Sequence, residues 1–208
     1  MLTICWAAKG GSGTTVFAVA RALAATTPTV LIDLAGDVPA VLGLPEPDGP
    51  GIHDWLASES PPDRLSRLEH AVTDQVVAIA AGRRSHEPGG RWFELGAHLR
   101  AEPRRAIVDA GTGRPPDALL AAADEALLVT RPCYVALRHA VAAGVVPTGV
   151  VLVDEPGRSL RADDIEASLG APVVSTTLVD PAIARAVDAG LLVSRLPGGW
   201  RRQLRRAA

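Results

Sequence analysis

The chain has 208 residues, of which 48% are hydrophobic and 21% charged, and its formal net charge is −2. This length suffices for a full hydrophobic core, and the composition is that of an ordinary soluble globular protein. No apolar run reaches the roughly 18 residues that a membrane span needs, and no secretion signal precedes the first apolar run. We therefore expect a single cytoplasmic domain over residues 1–208.

Cysteine and histidine usage gives no indication of a metal centre. The two cysteines, Cys5 and Cys133, fit no metal-binding spacing, and the five histidines are scattered. Cys5 lies in an apolar run, which predicts a small buried residue. Two cysteines without a pairing pattern favour a reduced protein.

The first structural pattern is a strand, a Gly-rich loop and a helix. Leu2–Ala7 is an apolar run of strand type, and Val16–Ala25 has the periodicity of a helix with one apolar face. Between them, the glycines of Ala8–Thr15 allow the backbone to curl so that successive N–H groups and the helix start form an anion site. The pattern predicts a phosphate-binding loop, and a Gly-rich turn without a ligand is the alternative.

The lysine of this loop is in an unusual place. The standard loop, G-x-x-x-x-G-K-[ST], has its lysine directly after the last glycine. Here Thr14 follows Gly13, and Lys9 is the only lysine in the chain. The segment Lys9-Gly10-Gly11-Ser12-Gly13-Thr14-Thr15 resembles the deviant phosphate loop of the ParA/MinD family, which reads Lys-Gly-Gly-x-Gly-Lys-Thr. These ATPases partition DNA, position division sites or organise polar machines.

The resemblance implies ATP and Mg²⁺ as ligands. Thr15 matches the family's Mg²⁺-binding threonine, and Lys9 matches the signature lysine, which reaches the phosphate bound by the other subunit of a homodimer. Thr14 replaces the lysine that holds the β- and γ-phosphates, so nucleotide affinity and turnover are expected to be reduced. The implied nucleotide-binding residues are Lys9, Gly10, Gly11, Ser12, Gly13, Thr14 and Thr15.

An acid ends the second apolar run. Thr29–Leu34 predicts a parallel strand with Asp33 at its carboxyl edge. In the family this strand runs into Asp-x-Asp, and the resemblance implies that Asp33 serves the Mg²⁺ site. The second acid, which positions the attacking water, falls on Ala35, and Asp37 would replace it only if the loop shifted. A turn or helix-cap role for Asp33 is the alternative.

The next stretch has weaker signals. Gln75–Ala80 predicts a strand, and the loop after it contains Arg83 and Arg84. One of these arginines would supply the positive charge missing at Thr14 if the loop lined the site; a solvated basic loop is the alternative. Short helices are predicted at Val38–Leu44 and, on the surface, at Ile52–Leu56 and Pro62–His70.

A second acid follows a later strand. Trp92–Arg100 predicts an amphipathic helix, and Arg105–Asp109 predicts an apolar strand that ends in a carboxylate. Such an acid is a Walker B candidate, able to reach Mg²⁺ directly or through water. The family's Asp-Thr-Pro-Pro-Gly becomes Asp109-Ala110-Gly111-Thr112-Gly113, so the acid is matched and its flanks differ.

The remaining pattern continues the alternation of strands and helices. The family often has an Asn after the Val145–Val153 strand to read adenine, whereas this chain has Asp154. The alternation predicts an α/β fold with a doubly wound, mostly parallel sheet and helices on both faces. Strands are predicted at Glu125–Thr130, Val145–Val153 and Pro172–Ser175, and helices at Asp117–Ala123 (capped by Asp117), Tyr134–Ala143, Asp164–Leu169 and Pro181–Ala189.

The C-terminal stretch 198–208 predicts a basic helix. Trp200 and Leu204 share one face, and the rest is rich in arginine. Such a helix suits weak contact with an anionic membrane or with nucleic-acid phosphates, at the membrane or the nucleoid. The alternative is a terminal helix whose arginines complement its own dipole. The candidate surface residues are Trp200, Arg201, Arg202, Leu204, Arg205 and Arg206.

The resulting hypothesis is a nucleotide-dependent regulatory or positioning protein with weak or absent ATPase activity, which dimerises and acts through an unknown protein partner. The alternative is a nucleotide-free pseudo-ATPase adaptor that acts through protein contacts, because Thr14 and Ala35 replace two catalytic residues of the family. A metabolic enzyme related to amidoligases or dethiobiotin synthetase fits less well, because those proteins keep the loop lysine.

Overall fold

The computed structural model describes residues 1–45, 47–82 and 91–206. Within these residues eight strands form one sheet: β1 (Leu2–Ala7), β2 (Thr29–Asp33), β3 (Glu69–Ala71), β4 (Val76–Ile79), β5 (Arg105–Thr112), β6 (Glu125–Thr130), β7 (Gly149–Asp154) and β8 (Val173–Leu178). Their order is β3-β4-β2-β5-β1-β6-β7-β8, and only β3 runs antiparallel to its neighbour.

Helices cover both faces of the sheet. In the same ranges they are α1 (Thr14–Ala24), α2 (Val38–Leu42), α3 (Ile52–Leu56), α4 (Trp92–Ala101), α5 (Asp117–Ala122), α6 (Tyr134–Ala142), α7 (Ala162–Leu169), α8 (Pro181–Asp188), α9 (Leu192–Arg195) and α10 (Gly198–Arg206), with a 3-10 helix at Pro62–Leu68.

The burial of the central strand β1 explains why helices cover both faces of the sheet. It is buried along its whole length, so both of its faces need apolar neighbours. Cys5 joins the cluster under α1, α2 and α8, whereas Ile4 and Trp6 point to the opposite face. This arrangement confirms the predicted doubly wound, mostly parallel α/β fold. It also confirms that Cys5 is buried, and burial raises the pKa of its thiol to about 12.

Helix α1, which begins in the phosphate loop, is enclosed between the sheet and α10. Nine of its residues are buried. Leu204 of α10 is only 1% exposed, and Arg201 donates from Nη1 to the Leu23 carbonyl over 3.1 Å. Arg21 on α1 is buried as well and forms an ion pair with Glu125 at 2.5 Å. The last helix is therefore part of the covering of α1.

Two sequence predictions are wrong around the edge of the sheet. The helix predicted at Pro62–His70 ends as a 3-10 helix at Leu68, and Glu69–Ala71 forms the antiparallel strand β3. A tight turn reverses the chain there, because the Thr73 hydroxyl accepts hydrogen bonds from Gln75 and Val76. Helix α3 was predicted at the surface, but it buries Ile52 and Trp55 in the core.

Two further predictions are corrected beyond β5. The strand predicted over Val145–Val153 starts at Gly149, because Pro147 offers no N–H to a ladder. Thr148, directly before the strand, bonds to Ala126 through both its N–H and its hydroxyl. Asp117 does not cap α5: Pro116 holds the cap position, and the Asp117 carboxylate pairs with Arg114 at 2.5 Å. None of the helices in the described ranges has the length and apolarity to cross a membrane.

Candidate nucleotide-binding site

The Gly-rich loop connects β1 directly to α1. Gly11 and Gly13 adopt positive φ angles of 76° and 90°, a region that favours glycine. Gly13 is the N-cap residue, and its carbonyl accepts the first helical hydrogen bond from Phe17 at 2.9 Å. The Ser12 hydroxyl donates to the Lys9 carbonyl at 2.7 Å and closes the loop. The backbone thus has the form that an anion site at a helix N-terminus requires.

A cavity of about 830 Å³ opens beside this loop. One wall consists of the loop and the start of α1, and the other walls come from the ends of β2 and β5 and from α2 and α8. Its ionisable lining residues are Asp37, His53 and Asp188. Among the described residues of the lining there is no lysine or arginine. Thr14, which is 7% exposed, lies in this wall where the family has its second lysine.

Asp109 lies buried beside the first turn of α1. Its Oδ1 accepts a hydrogen bond from the Gly111 N–H at 3.1 Å, whereas its buried Oδ2 has no hydrogen-bond partner among the described residues. Burial raises the pKa of this carboxyl to about 6, although the neighbouring Thr15 hydroxyl and the Gly111 amide favour its charged form. The nearby charge of Asp33 contributes to this rise of the Asp109 pKa. An unpartnered buried carboxylate oxygen next to a threonine hydroxyl is a suitable pair of ligands for Mg²⁺.

The protein alone does not form a complete metal site here. No group of three or more His, Cys, Asp or Glu side chains in the described part of the chain is arranged to hold a metal ion. Mg²⁺ keeps several oxygen ligands from water or substrate phosphates in sites of this kind. Thr15 and Asp109 therefore fit a magnesium ion that arrives with phosphate oxygens.

Asp33 is buried at the matching position of the neighbouring strand, in register with Asp109. Its Oδ1 accepts from the N–H groups of Ala35 and Gly36 at 2.9 and 2.6 Å, and its Oδ2 accepts from Val38 at 3.1 Å. Burial raises the pKa of this carboxyl, and the three amides oppose that effect. Because both oxygens are in use, the geometry favours the turn-and-cap role over direct Mg²⁺ binding.

The loop after β2 has no carboxylate at the position of the family's second acid. Ala35 occupies that position and packs closely on the end of β5: a Cβ added at Gly111 would lie 2.9 Å from the Ala35 Cβ. Asp37 is exposed at the start of α2 and faces the same cavity. An acid is thus present at the cavity, two residues beyond the family position.

Lys9 and the C-terminal arginines lie outside the cavity. Lys9 is exposed, and its Nζ approaches only the Gly10 carbonyl, at 3.4 Å. On α10, Trp200 and Leu204 pack against the core, Arg201 bonds to α1, and Arg202 is exposed. Arg205 and Arg206 continue this helix. The predicted contribution of Arg83 or Arg84 falls outside the described residues.

Sequence reasoning missed two cavity residues, His53 and Asp188. The His53 Nε2 atom lies 3.1 Å from the Leu34 carbonyl oxygen, which fixes the imidazole beside the end of β2. Asp188 is the last residue of α8. Neither residue belongs to a sequence motif. The packing of segments that are distant in sequence brings both to the loop, so no local pattern predicts them.

Comparison of whole folds identifies relatives. No protein-family model and no curated protein matches the sequence. Solved structures do match: a ParA family ATPase from Chlorobium tepidum has a TM-score of 0.76 at 17% identity, covering 99% of this chain and 98% of that one. MinD from Aquifex aeolicus in its complex with MinC has a TM-score of 0.76 at 19% identity, with 99% and 94% covered.

The septum site-determining protein MinD from Pyrococcus horikoshii, complexed with Mg-ADP, also gives a TM-score of 0.76, at 18% identity and with 99% and 93% of the two chains covered. Their names are those of the ParA/MinD family, which the Lys9–Thr15 segment resembles. Identities of this size are evidence about the fold. The chain therefore has the P-loop α/β fold of the ParA/MinD ATPases over nearly its full length.

Proposed function

We propose that this chain is a ParA/MinD-like regulatory or positioning protein that binds Mg-nucleotide at the Gly10–Thr15 loop and hydrolyses ATP weakly or not at all. The observation that carries the proposal is the buried Oδ2 atom of Asp109, which has no partner among the described residues and lies beside the Thr15 hydroxyl. A buried unpaired carboxylate oxygen is unfavourable for folding and favourable for a cation.

Each part of the site has a distinct task in this proposal. The loop amides and the N-terminus of α1 hold the phosphates, and Thr15 and Asp109 orient the magnesium ion. The bound ion neutralises phosphate charge. Asp33 holds the loop of Ala35–Val38 in place through its three hydrogen bonds and so shapes the cavity wall.

Weak turnover follows from two substitutions. A charge-assisted contact to phosphate is worth about 1.5–3 kcal/mol, and Thr14 cannot make one. The transferring phosphoryl group also needs a side-chain cation in the transition state, and the described residues of the cavity lining include no lysine or arginine. Ala35 removes the acid that would position water.

Nucleotide-dependent dimerisation is the proposed output. Lys9 is exposed and does not line its own cavity, which suits a lysine that reaches a phosphate on another subunit. A partner protein would then recognise the dimer, as the MinC:MinD complex of a structural relative suggests. A position at the periphery of the membrane or the nucleoid belongs to the same proposal.

The arginines of α10 are a second candidate surface, for a phosphate-bearing polymer or anionic lipid. Packing of Trp200 and Leu204 on the core leaves Arg202 exposed and favours nucleic-acid phosphates over a buried lipid anchor. Deleting the helix would uncover α1, so the test is Arg202→Glu with Arg205→Glu and Arg206→Glu. These changes should abolish salt-sensitive retention on DNA, while Arg100→Glu on α4 should not. Equal retention of both variants would contradict the role.

The function is tested by titrating Mg-ATP and Mg-ADP into the purified protein by calorimetry, with phosphate release measured in parallel. Binding with little release, lost in Asp109→Asn, is the expected result. Rapid release would contradict the assignment as a weak ATPase. Absence of binding at millimolar nucleotide would overturn the proposal in favour of the nucleotide-free adaptor.

A further inference from the structure

Two carboxylates outside the phosphate loop line the same cavity as the loop. Asp37 stands at the start of α2 and Asp188 at the end of α8, and both are exposed and line the cavity. In the described part of the chain neither carboxylate has an ion-pair partner. Their charges are therefore available to act on whatever occupies the cavity.

These two acids are held by a fixed contact between their helices. Gly43, at the end of α2, lies so close to Gly190, after α8, that a Cβ added to it would be 2.0 Å from the Gly190 carbonyl oxygen. Val41 and Leu42 of α2 share a buried cluster with Ile183 and Ala186 of α8. The wall that carries the acids is thus part of the core and not a loose loop.

The position of Asp188 is not explained by helix stability. It is the last residue of α8, where the negative end of the helix dipole disfavours a carboxylate. The Asp37 charge is also felt at the base of the site, because it raises the pKa of both Asp33 and Asp109. Within the described residues, the cavity beyond the loop therefore has a negative potential that no lysine or arginine of its lining compensates.

From this arrangement we infer that the site selects a nucleoside diphosphate over the corresponding triphosphate. The inference rests on the proposed nucleotide binding at the loop. Loop amides, Thr15 and Asp109 with Mg²⁺ suffice for the first phosphates, whereas a terminal phosphate brings a further negative charge into a cavity that already holds Asp37 and Asp188. Thr14 offers that phosphate no cation. Repulsion between these carboxylates and the terminal phosphate weakens the binding of the triphosphate, and salt screens this repulsion.

The test compares Mg-ADP and Mg-ATP by calorimetry in the wild type and in Asp37→Asn/Asp188→Asn. The control, Asp63→Asn/Asp74→Asn, removes two exposed carboxylates that do not line the cavity. We expect wild type and control to bind Mg-ADP at least about threefold more tightly than Mg-ATP at low salt. The cavity variant should bring the ratio close to one, and high salt should reduce the ratio in the wild type.

The outcomes separate this inference from the function on which it rests. Binding of both nucleotides with Mg-ATP equal to or tighter than Mg-ADP overturns the selection. A wild-type preference that the cavity variant retains overturns the role of Asp37 and Asp188. If neither nucleotide binds, the proposed function itself fails, and the selection fails with it.

Discussion

Asp33 and Asp109 end neighbouring parallel strands in the same register, and both are buried, yet they have opposite surroundings. The chain after Asp33 curls back and places three backbone N–H groups on its carboxylate. The chain after Asp109 continues as β5 to Thr112 with a left-handed residue at Gly111, so Gly111 is the one backbone N–H in the described residues that bonds to this carboxylate, and Oδ2 is left without a partner there. One acid is used by the fold, and the other is available to a ligand.

The loop that follows each acid, more than the acid itself, decides the role of its carboxylate. Burial makes either charge unfavourable, and hydrogen bonds determine how much of that energy is recovered. The same substitution should therefore change stability in opposite directions at the two positions.

Asp33→Asn should give the largest effect. The amide keeps one acceptor oxygen but presents an NH₂ group to backbone N–H donors, which leaves at least one buried donor unpaired. We expect a loss of about 2–3 kcal/mol in the free energy of unfolding, measured by urea denaturation. Asp63→Asn, on the exposed 3-10 helix, is the control and should change it little. A stability equal to wild type would contradict the structural role of Asp33.

Asp109→Asn should stabilise the protein by about 1–2 kcal/mol at pH 7.5. The pKa rise from 3.8 to about 6 corresponds to at most about 3 kcal/mol of unfavourable burial, and part of the gain is lost on the new NH₂ group. The asparagine oxygen keeps the Gly111 hydrogen bond. The same variant should lose Mg-dependent nucleotide binding. If Asp109→Asn were instead less stable than wild type, Asp109 would stabilise the fold as Asp33 does, and the proposed difference between the two acids would be wrong.

The pH dependence of the free energy of unfolding independently tests whether the Asp109 charge destabilises the fold. Because the folded-state pKa of Asp109 is raised, the folded protein holds this proton more tightly than the unfolded chain does. The contribution of this carboxyl to stability is fully present below the unfolded-state pKa and is lost as pH rises from about 4 to about 6. The stability of Asp109→Asn relative to wild type should thus be lowest near pH 4, increase through this window and stay constant above it. A difference independent of pH would exclude desolvation as its cause.

Thr14→Lys tests how much nucleotide affinity the missing loop lysine costs. A lysine here would extend from the wall of the cavity toward a bound phosphate, and we expect about tenfold tighter nucleotide binding by calorimetry. Thr26→Lys, on the exposed turn after α1, adds the same charge elsewhere and should have no such effect. If affinity and turnover both stay flat, the loop is a relic without a nucleotide role.

Lys9→Ala should have the smallest effect on the fold. The side chain is exposed, and its only contact that we observe is with the Gly10 carbonyl, so the thermal midpoint should move by less than about 2 °C. The nucleotide-driven dimer fraction should fall severalfold by light scattering. Arg100→Ala, on the exposed side of α4, is the control. An unchanged dimer fraction would rule out the cross-subunit role.

The sequence predicts most of the sheet because parallel strands buried on both faces appear as apolar runs, and Leu2–Ala7 and Glu125–Thr130 match the structure. It also predicts the loop, because the glycines of Lys9–Thr15 carry a backbone requirement. It does not predict the reversal at Thr73, which depends on a side-chain hydrogen bond. Nor does it distinguish Asp33 from Asp109, because the decisive hydrogen bonds depend on how each following loop bends.

The enclosure of α1 by α10 also sets an order of events during synthesis. Arg201 and Leu23 bond across 178 residues of chain, and translation at 5–20 residues per second separates their synthesis by roughly 10–40 s. During that interval the side of α1 that α10 covers has no native contact, although α2 already packs against the helix. The nascent chain therefore exposes this side of the phosphate-loop helix until α10 has been synthesised.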